Sequence, residues 1–334
     1  MVFKRLLGTL GVGGPAVDTE LDPGVPAPGS DLTGQVRLTG GNADRTITRL
    51  TLELVARVEI EGGDEESEGL IALERFTVAE DFGLAAGERL DVPFAVPLPW
   101  ETPITALHGQ SLGVVLAVRT ELEIAGAKDK GDLDPLAVGP LPAQEAVLEA
   151  LGQLGFGFAS ADLEYGRIGG TGQLLPFYQE IELTPPPRHQ DAMRQLEVTF
   201  LAHPGGMEVV LEADSPGGLF TSGHEALTLF RVSHTGVEER DWNAEVDGWV
   251  RQLAATLGTR TAPAAYAHHG SHGDHSHHGH HGHHSDGGHS RSGPGVGTAV
   301  AVGAAGLAVG VAGGLVAAEA VDEVGDFFEE EEEG

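Results

Sequence analysis

The segment ITRLTLELVARVEI (Ile47–Ile60) decides the fold class, because its apolar residues recur at every second position. One face comprises Leu50, Leu52, Leu54, Ala56, Val58 and Ile60, and the other comprises Thr51, Glu53, Arg57 and Glu59. Successive side chains of a strand point to opposite faces, so this period of two indicates a long antiparallel strand with one buried face.

The same alternation recurs along the body of the chain. The apolar positions of the further segments are Leu32, Val36 and Leu38; Leu90, Val92, Phe94 and Val96; Leu112, Val114, Leu116, Val118, Leu122 and Ile124; Leu196, Val198 and Phe200; and Met207, Val209 and Leu211. Turn sequences such as Gly40-Gly41-Asn42 and Pro204-Gly205-Gly206 separate these segments. Many short strands joined by glycine and proline turns are typical of β-sandwiches.

Three segments have helical rather than strand periodicity. The first carries Phe3, Leu6, Leu7 and Leu10 at helical spacing, the second is Ala143–Leu154, and the third is Trp242–Leu257, with Asp241 as expected N-cap and Gly258 as expected C-cap. The second helix separates two strand-rich halves. We therefore predict a first domain over residues 1–140, which includes the short N-terminal helix, and a second over residues 141–258 with flanking helices.

The charge and the cysteine count exclude several functional classes. The 334 residues include 51 acidic and 19 basic side chains, which give a net charge of −32. No basic run exceeds two residues, so the chain lacks the clustered cations that a non-specific nucleic-acid binder requires. There is no cysteine, which excludes disulfides, zinc–thiolate sites and cysteine nucleophiles and is compatible with a reducing cytoplasm.

The last quarter of the chain differs in composition from the body. Residues 259–293 form a His-rich linker, residues 294–318 are rich in glycine and alanine and carry no charge, and residues 319–334 hold nine acidic side chains. Such segments cannot build a hydrophobic core, so we expect a tail that is disordered or partly helical after a folded body.

Several blocks of the body match a known family in order and spacing. They are FKRLLGTLGVGGPAVDTEL (3–21), VPAPGSDLTGQVRLTGGNADRTITRLTLELVARVE (25–59), LDVPFAVPLPWETPIT (90–105), LGVVLAVRTELEIAGAKDKGDLDPLAVGP (112–140), LLPFYQEIELTP (174–185) and LEVTF (196–200). On these blocks, residues 1–258 resemble the sporulation-control protein family, which is named for a stage-zero sporulation gene and has an arrestin-like fold. The tail is not part of that pattern.

The resemblance implies two tandem arrestin-like antiparallel β-sandwiches and a non-catalytic role in the control of sporulation or cell division. It supplies no catalytic residue. The sequence motifs also favour a non-catalytic role: the chain has no G-x-S-x-G elbow, no phosphate-binding G-x-x-x-x-G-K-[ST] loop and no H-E-x-x-H helix. We therefore expect no enzymatic activity, but a cytoplasmic regulator or adaptor that contacts a protein partner, which the sequence does not name.

A few polar residues within the body are candidates for structural roles. His108, His189, His203, His224 and His234 are scattered among strands and turns, where surface or structural roles are expected. The cluster Asp129, Asp132 and Asp134 lacks the spacing of a calcium loop and is read as a solvated loop. Gln179 is in phase with core positions, so its amide is expected to bond to backbone groups.

The His-rich tract is the candidate metal site. Its members are His268, His269, His272, His275, His277, His278, His280, His281, His283, His284 and His289. Neutral imidazoles bind Zn²⁺, Ni²⁺ and Cu²⁺, but the interleaved glycine, serine and aspartate favour weak binding of variable stoichiometry over a closed site. No cofactor is expected to be required, and metal buffering through this tract is one alternative function.

The uncharged segment 294–318 is the basis of a second alternative. Its 25 residues exceed the roughly 20 that span a bilayer core, yet most are alanine or glycine, which makes insertion marginal. Gly306, Gly310 and Gly314 have the spacing that allows helices to approach closely and self-associate. The alternative function is thus a membrane-associated scaffold anchored through this segment. An intermediate possibility is a cytoplasmic protein that contacts the membrane peripherally. We favour the cytoplasmic location.

Overall fold

The computed structural model describes residues 13–62, 65–214 and 225–260. Its strands are β1 (Ala16–Leu21), β2 (Asp31–Thr39), β3 (Arg45–Gly62), β4 (Glu65–Leu84), β5 (Arg89–Pro97), β6 (Ala106–Leu107), β7 (Gln110–Ser111), β8 (Leu116–Ile124), β9 (Lys130–Pro135), β10 (Gly157–Tyr165), β11 (Phe177–Thr184), β12 (Leu196–His203), β13 (Gly206–Asp214) and β14 (Glu225–Val232). The helices are α1 (Pro142–Gln153) and α2 (Trp242–Arg260), with a short 3₁₀ helix at Val237–Glu239.

The first unit is a β-sandwich. One layer is the sheet β1-β2-β5, and the facing layer contains β4, β3, β8 and β9. The two layers share one core, which includes Val36 and Leu38 from the first sheet and Leu50, Leu54 and Val118 from the second. The face predicted from the alternation in β3 is therefore the buried face, as expected.

The second unit is a five-stranded antiparallel sheet in the order β10-β11-β12-β13-β14. Strand β10 also pairs in parallel with β3, through Glu164 and Glu59, so this sheet continues that of the first unit. The predicted all-β class is confirmed. In one detail the second unit departs from the expected pair of sheets: α1 and α2 form the layer that covers the inner face of its sheet.

The helices pack on this sheet through large apolar side chains. Trp249 of α2 stacks on Phe230 of β14 at 4.7 Å between ring centroids. The Ala244 backbone N–H donates to Asp241 Oδ1 at 3.1 Å, which confirms the predicted N-cap. The predicted C-cap at Gly258 is wrong, because α2 continues to Arg260. A glycine costs about 1 kcal/mol inside a helix and does not by itself end one.

Two further predictions for single residues meet different outcomes. Gln179 faces the core and bonds to backbone, as expected: its Nε2 donates to the Ile104 carbonyl at 2.8 Å, and its Oε1 accepts from the Ile104 N–H at 3.0 Å. The solvated-loop interpretation is wrong for Asp132 and Asp134, which belong to strand β9. Asp132 accepts a hydrogen bond from the Thr19 N–H, so it joins β9 to β1.

The remaining predictions concern segments beyond the described ranges. The helix at Phe3–Leu10, His224, the His-rich tract, the uncharged segment and the acidic end all lie outside them. Neither α1 nor α2 is both long enough and apolar enough to cross a membrane. The division of the chain near residue 140 stays a prediction.

Candidate interaction surface

The outer face of the second sheet, opposite to the helices, carries an unusual density of carboxylates. We call this surface the acidic face; it consists of Asp162, Glu164, Glu180, Glu182, Glu197 and Glu212 of that sheet and of Glu59 on the adjoining end of β3. The inner positions of the same strands are apolar, so alternation along each strand places the acidic residues together on the outside.

Three glutamates stand side by side on neighbouring strands. Glu182 of β11 is paired with Glu197 of β12, and Glu197 is paired with Glu212 of β13. Directly opposite residues have Cβ atoms about 4.5–5.5 Å apart, and like charges at that distance destabilise a sheet. The register therefore places three carboxylates side by side on one face, which makes this row a candidate surface for contact with basic groups.

A second group of carboxylates lies next to this row. Asp162 of β10 is paired with Glu180 of β11, and one oxygen each of Asp162, Glu164 and Glu180 lie within 4.8 Å of one another. Burial, followed by the charge of Glu197, raises the pKa of Glu180 to about 9. Burial, followed by the charge of Glu59, raises the pKa of Asp162 to about 6. Glu180 therefore holds a proton at neutral pH.

A small cavity of about 50 Å³ adjoins the group, beside β3 and between β10 and the residues that precede β8. Arg57, Gly113, Val115 and Asp162 contribute to its wall. Asp162 Oδ1 is buried there and accepts no hydrogen bond from the described residues. The cavity has room for a few water molecules at most, so its size does not suit an organic substrate or cofactor.

The histidines singled out in the sequence do not meet at one site. The ring of His189 stacks on Phe156, and the ring of His234 stacks on Trp100 at 5.1 Å between centroids. His203 Nδ1 accepts a hydrogen bond from the Gly205 N–H in a tight turn. These three have the structural roles expected for them, whereas His108 lies beside two glutamates of α1.

Sequence analysis did not identify the acidic face. The run Tyr178-Gln-Glu-Ile-Glu182 shows acidic residues at outward positions of one strand. The register that brings Glu182 beside Glu197 depends on the eleven-residue connection 185–195 between β11 and β12, and no local sequence pattern predicts it. The sequence therefore shows which residues of one strand face outward, but not which residues of two neighbouring strands lie side by side.

Comparisons with known proteins agree on one family. A family model described as "SpoOM protein" matches residues 3–217. The sporulation-control protein spo0M of Bacillus subtilis (strain 168) is 36% identical over 213 residues, which are 64% of this chain and 80% of that protein. The crystal structure of Spo0M, a sporulation control protein from Bacillus subtilis, has 30% sequence identity and a TM-score of 0.63, and the match covers 74% of this chain and 100% of that one.

Proposed function

Because the chain belongs to the SpoOM protein family, we propose that it is a non-catalytic, cytoplasmic regulator of sporulation that acts through protein–protein contacts. The family match carries this proposal, since the Bacillus subtilis relative is named as a sporulation-control protein. A regulator of this kind needs a surface that a partner recognises.

We assign that contact to the acidic face. The row of Glu182, Glu197 and Glu212 presents three carboxylates side by side across three strands, and a partner that brings arginine or lysine side chains would meet complementary charge there. Complementary charge also speeds encounter and discriminates against partners of the wrong sign. The expected partner is thus a protein with a basic surface or segment.

Complementation in the native host tests the function and the contact surface together. The gene would be deleted, and spore formation would be scored after expression of the wild type or of a triple variant with Glu182→Gln, Glu197→Gln and Glu212→Gln. A matched control removes the same charge from exposed positions elsewhere, with Glu74→Gln, Glu238→Gln and Glu239→Gln. Both variants keep side-chain size, so the fold should be retained.

We expect the deletion to change spore yield or timing, the control variant to restore the wild-type phenotype, and the acidic-face variant to fail while it accumulates as folded protein. A deletion without effect on sporulation would contradict the proposed function. Equal complementation by the two triple variants would contradict the assignment of the contact to the acidic face.

A further inference from the structure

A two-residue turn between β6 and β7 places His108 against the surface of α1. His108 and Gly109 connect β6 to β7, and their φ angles are +51° and +77°. Two successive residues with positive φ are typical of the type I′ hairpin turn, in which histidine is tolerated at the first position. The neighbouring Leu107 and Leu112 contact the core of the second unit, so the hairpin is anchored against α1.

The imidazole of His108 lies between two glutamates of α1. Its Nδ1 is 3.4 Å from Glu145 Oε1, and its Nε2 is 3.4 Å from Glu149 Oε1. One ring nitrogen and one oxygen of each carboxylate all lie within 4.8 Å of one another. In the described part of the chain, neither carboxylate has a lysine or arginine nitrogen within 4.0 Å.

This arrangement is not satisfied by a neutral histidine alone. A neutral imidazole has one N–H and one lone pair, so it donates to only one carboxylate and its lone pair faces the other. Glu145 and Glu149 are also like charges one helical turn apart, a spacing that destabilises a helix. Both problems are removed when a positive ion occupies the nitrogen that bears the lone pair.

We propose that His108, Glu145 and Glu149 form a binding site for a divalent transition-metal ion, with Zn²⁺ as the best match. One imidazole nitrogen and two carboxylate oxygens are ligands that Zn²⁺ accepts, and water completes the coordination at an exposed site. Ligand atoms around tetrahedral Zn²⁺ lie about 3.4 Å apart. The two glutamate side chains are 43% and 48% exposed, so they are free to close the remaining distance.

The bound ion would connect the two units of the body. His108 belongs to the hairpin that lies between β5 and β8 of the first unit, and the glutamates belong to the helix that opens the second. An ion that binds only the folded state stabilises it by mass action. This site is distinct from the His-rich tract, which lies beyond residue 260.

The test uses the full chain with the eleven histidines of the tract replaced by asparagine, so that the tract does not compete for metal. Zn²⁺ affinity and stoichiometry are measured by competition with a chromogenic chelator, and the thermal midpoint is measured with and without Zn²⁺. The variants are His108→Asn, which tolerates positive φ, together with Glu145→Gln and Glu149→Gln. His203→Asn is the matched control, since His203 is exposed and has no carboxylate within 4.0 Å among the described residues.

We expect one Zn²⁺ per chain, loss of binding in His108→Asn, at least tenfold weaker binding in each glutamine variant, and unchanged binding in His203→Asn. Zn²⁺ should raise the thermal midpoint of the parent but not that of His108→Asn. Circular dichroism checks that each variant folds. If His108→Asn does not fold, the Zn²⁺ affinity of Glu149→Gln tests the proposal, because Glu149 lies at an exposed helical position. Absence of Zn²⁺ binding by the folded parent, or equal affinity in the variants, would overturn the proposal.

Discussion

At the scale of single residues, Glu180 couples the stability of the second unit to pH. Burial raises the pKa of Glu180 to about 9, whereas a glutamate in the unfolded chain loses its proton near its ordinary pKa of about 4.3. Between these values the folded state binds one proton more than the unfolded state, so the free energy of unfolding falls as pH rises from about 5 to 9. Asp162, with a pKa of about 6, adds to this fall only between about pH 4 and 6.

The variant Glu180→Gln should therefore stabilise the protein at neutral pH, by on the order of 1–3 kcal/mol. It should also flatten the dependence of stability on pH between about 6 and 8.5, where Asp162 no longer titrates. Urea unfolding at several pH values measures both effects, with the exposed Glu74→Gln as control. A variant that is less stable than the wild type at pH 7 would show that the carboxylate of Glu180 is charged and favourably paired.

Gln179 shows how a buried amide holds a connection between strands in place. Both its amide atoms bond to the backbone of Ile104, which lies between β5 and β6. Gln179→Met keeps the size of the side chain but leaves the N–H and C=O of Ile104 without these bonds. We expect a loss of about 2–4 kcal/mol in the free energy of unfolding, against a change within about 0.5 kcal/mol for the exposed Gln252→Met. Equal effects in urea titrations would contradict the structural role of this amide.

At the scale of elements, the alternation in β3 determines which of its faces is buried. Leu54 is 1% exposed in the core of the sandwich, whereas Glu53 on the opposite face accepts a hydrogen bond from Arg119 Nε at 2.8 Å. Leu54→Asp should unfold the first unit, because an unpaired charge in that core costs several kcal/mol. Glu53→Gln, which keeps an acceptor for Arg119, should cost less, about 1–3 kcal/mol, through the weaker hydrogen bonds to Arg119. Thermal unfolding distinguishes the two, and equal effects would mean that the face was assigned wrongly.

The strands and their buried faces could be predicted because the relevant signal is local. The period of two in Leu50, Leu52 and Leu54 reports a buried face within a single strand. The pairing of Glu182 with Glu197 could not be predicted in this way, since register depends on how two separated segments meet in space. The end of α2 was misjudged for a related reason: packing of Leu253 and Leu257 on the sheet outweighs the local preference of Gly258.

At the scale of the whole molecule, the body should fold without the tail. The two cores are built from residues between Leu32 and Leu257. A chain that ends at Arg260 should be rich in strands by circular dichroism and should unfold in a cooperative transition close to that of the full chain. Aggregation of the shortened chain, while the full chain stays folded, would show that residues 261–334 contribute to the folded state.

The central claim is that the protein contacts a partner through the acidic face, and site-specific photo-crosslinking in the native host tests it most directly. A benzophenone amino acid would replace Glu197 on that face or, as control, the exposed Glu238 beside α2. The account predicts a discrete adduct with another protein from position 197 in sporulating cells, weakened in the background of Glu182→Gln and Glu212→Gln, and no such adduct from position 238. The same adduct from both positions, or none from position 197 while the labelled protein is folded and abundant, would contradict it.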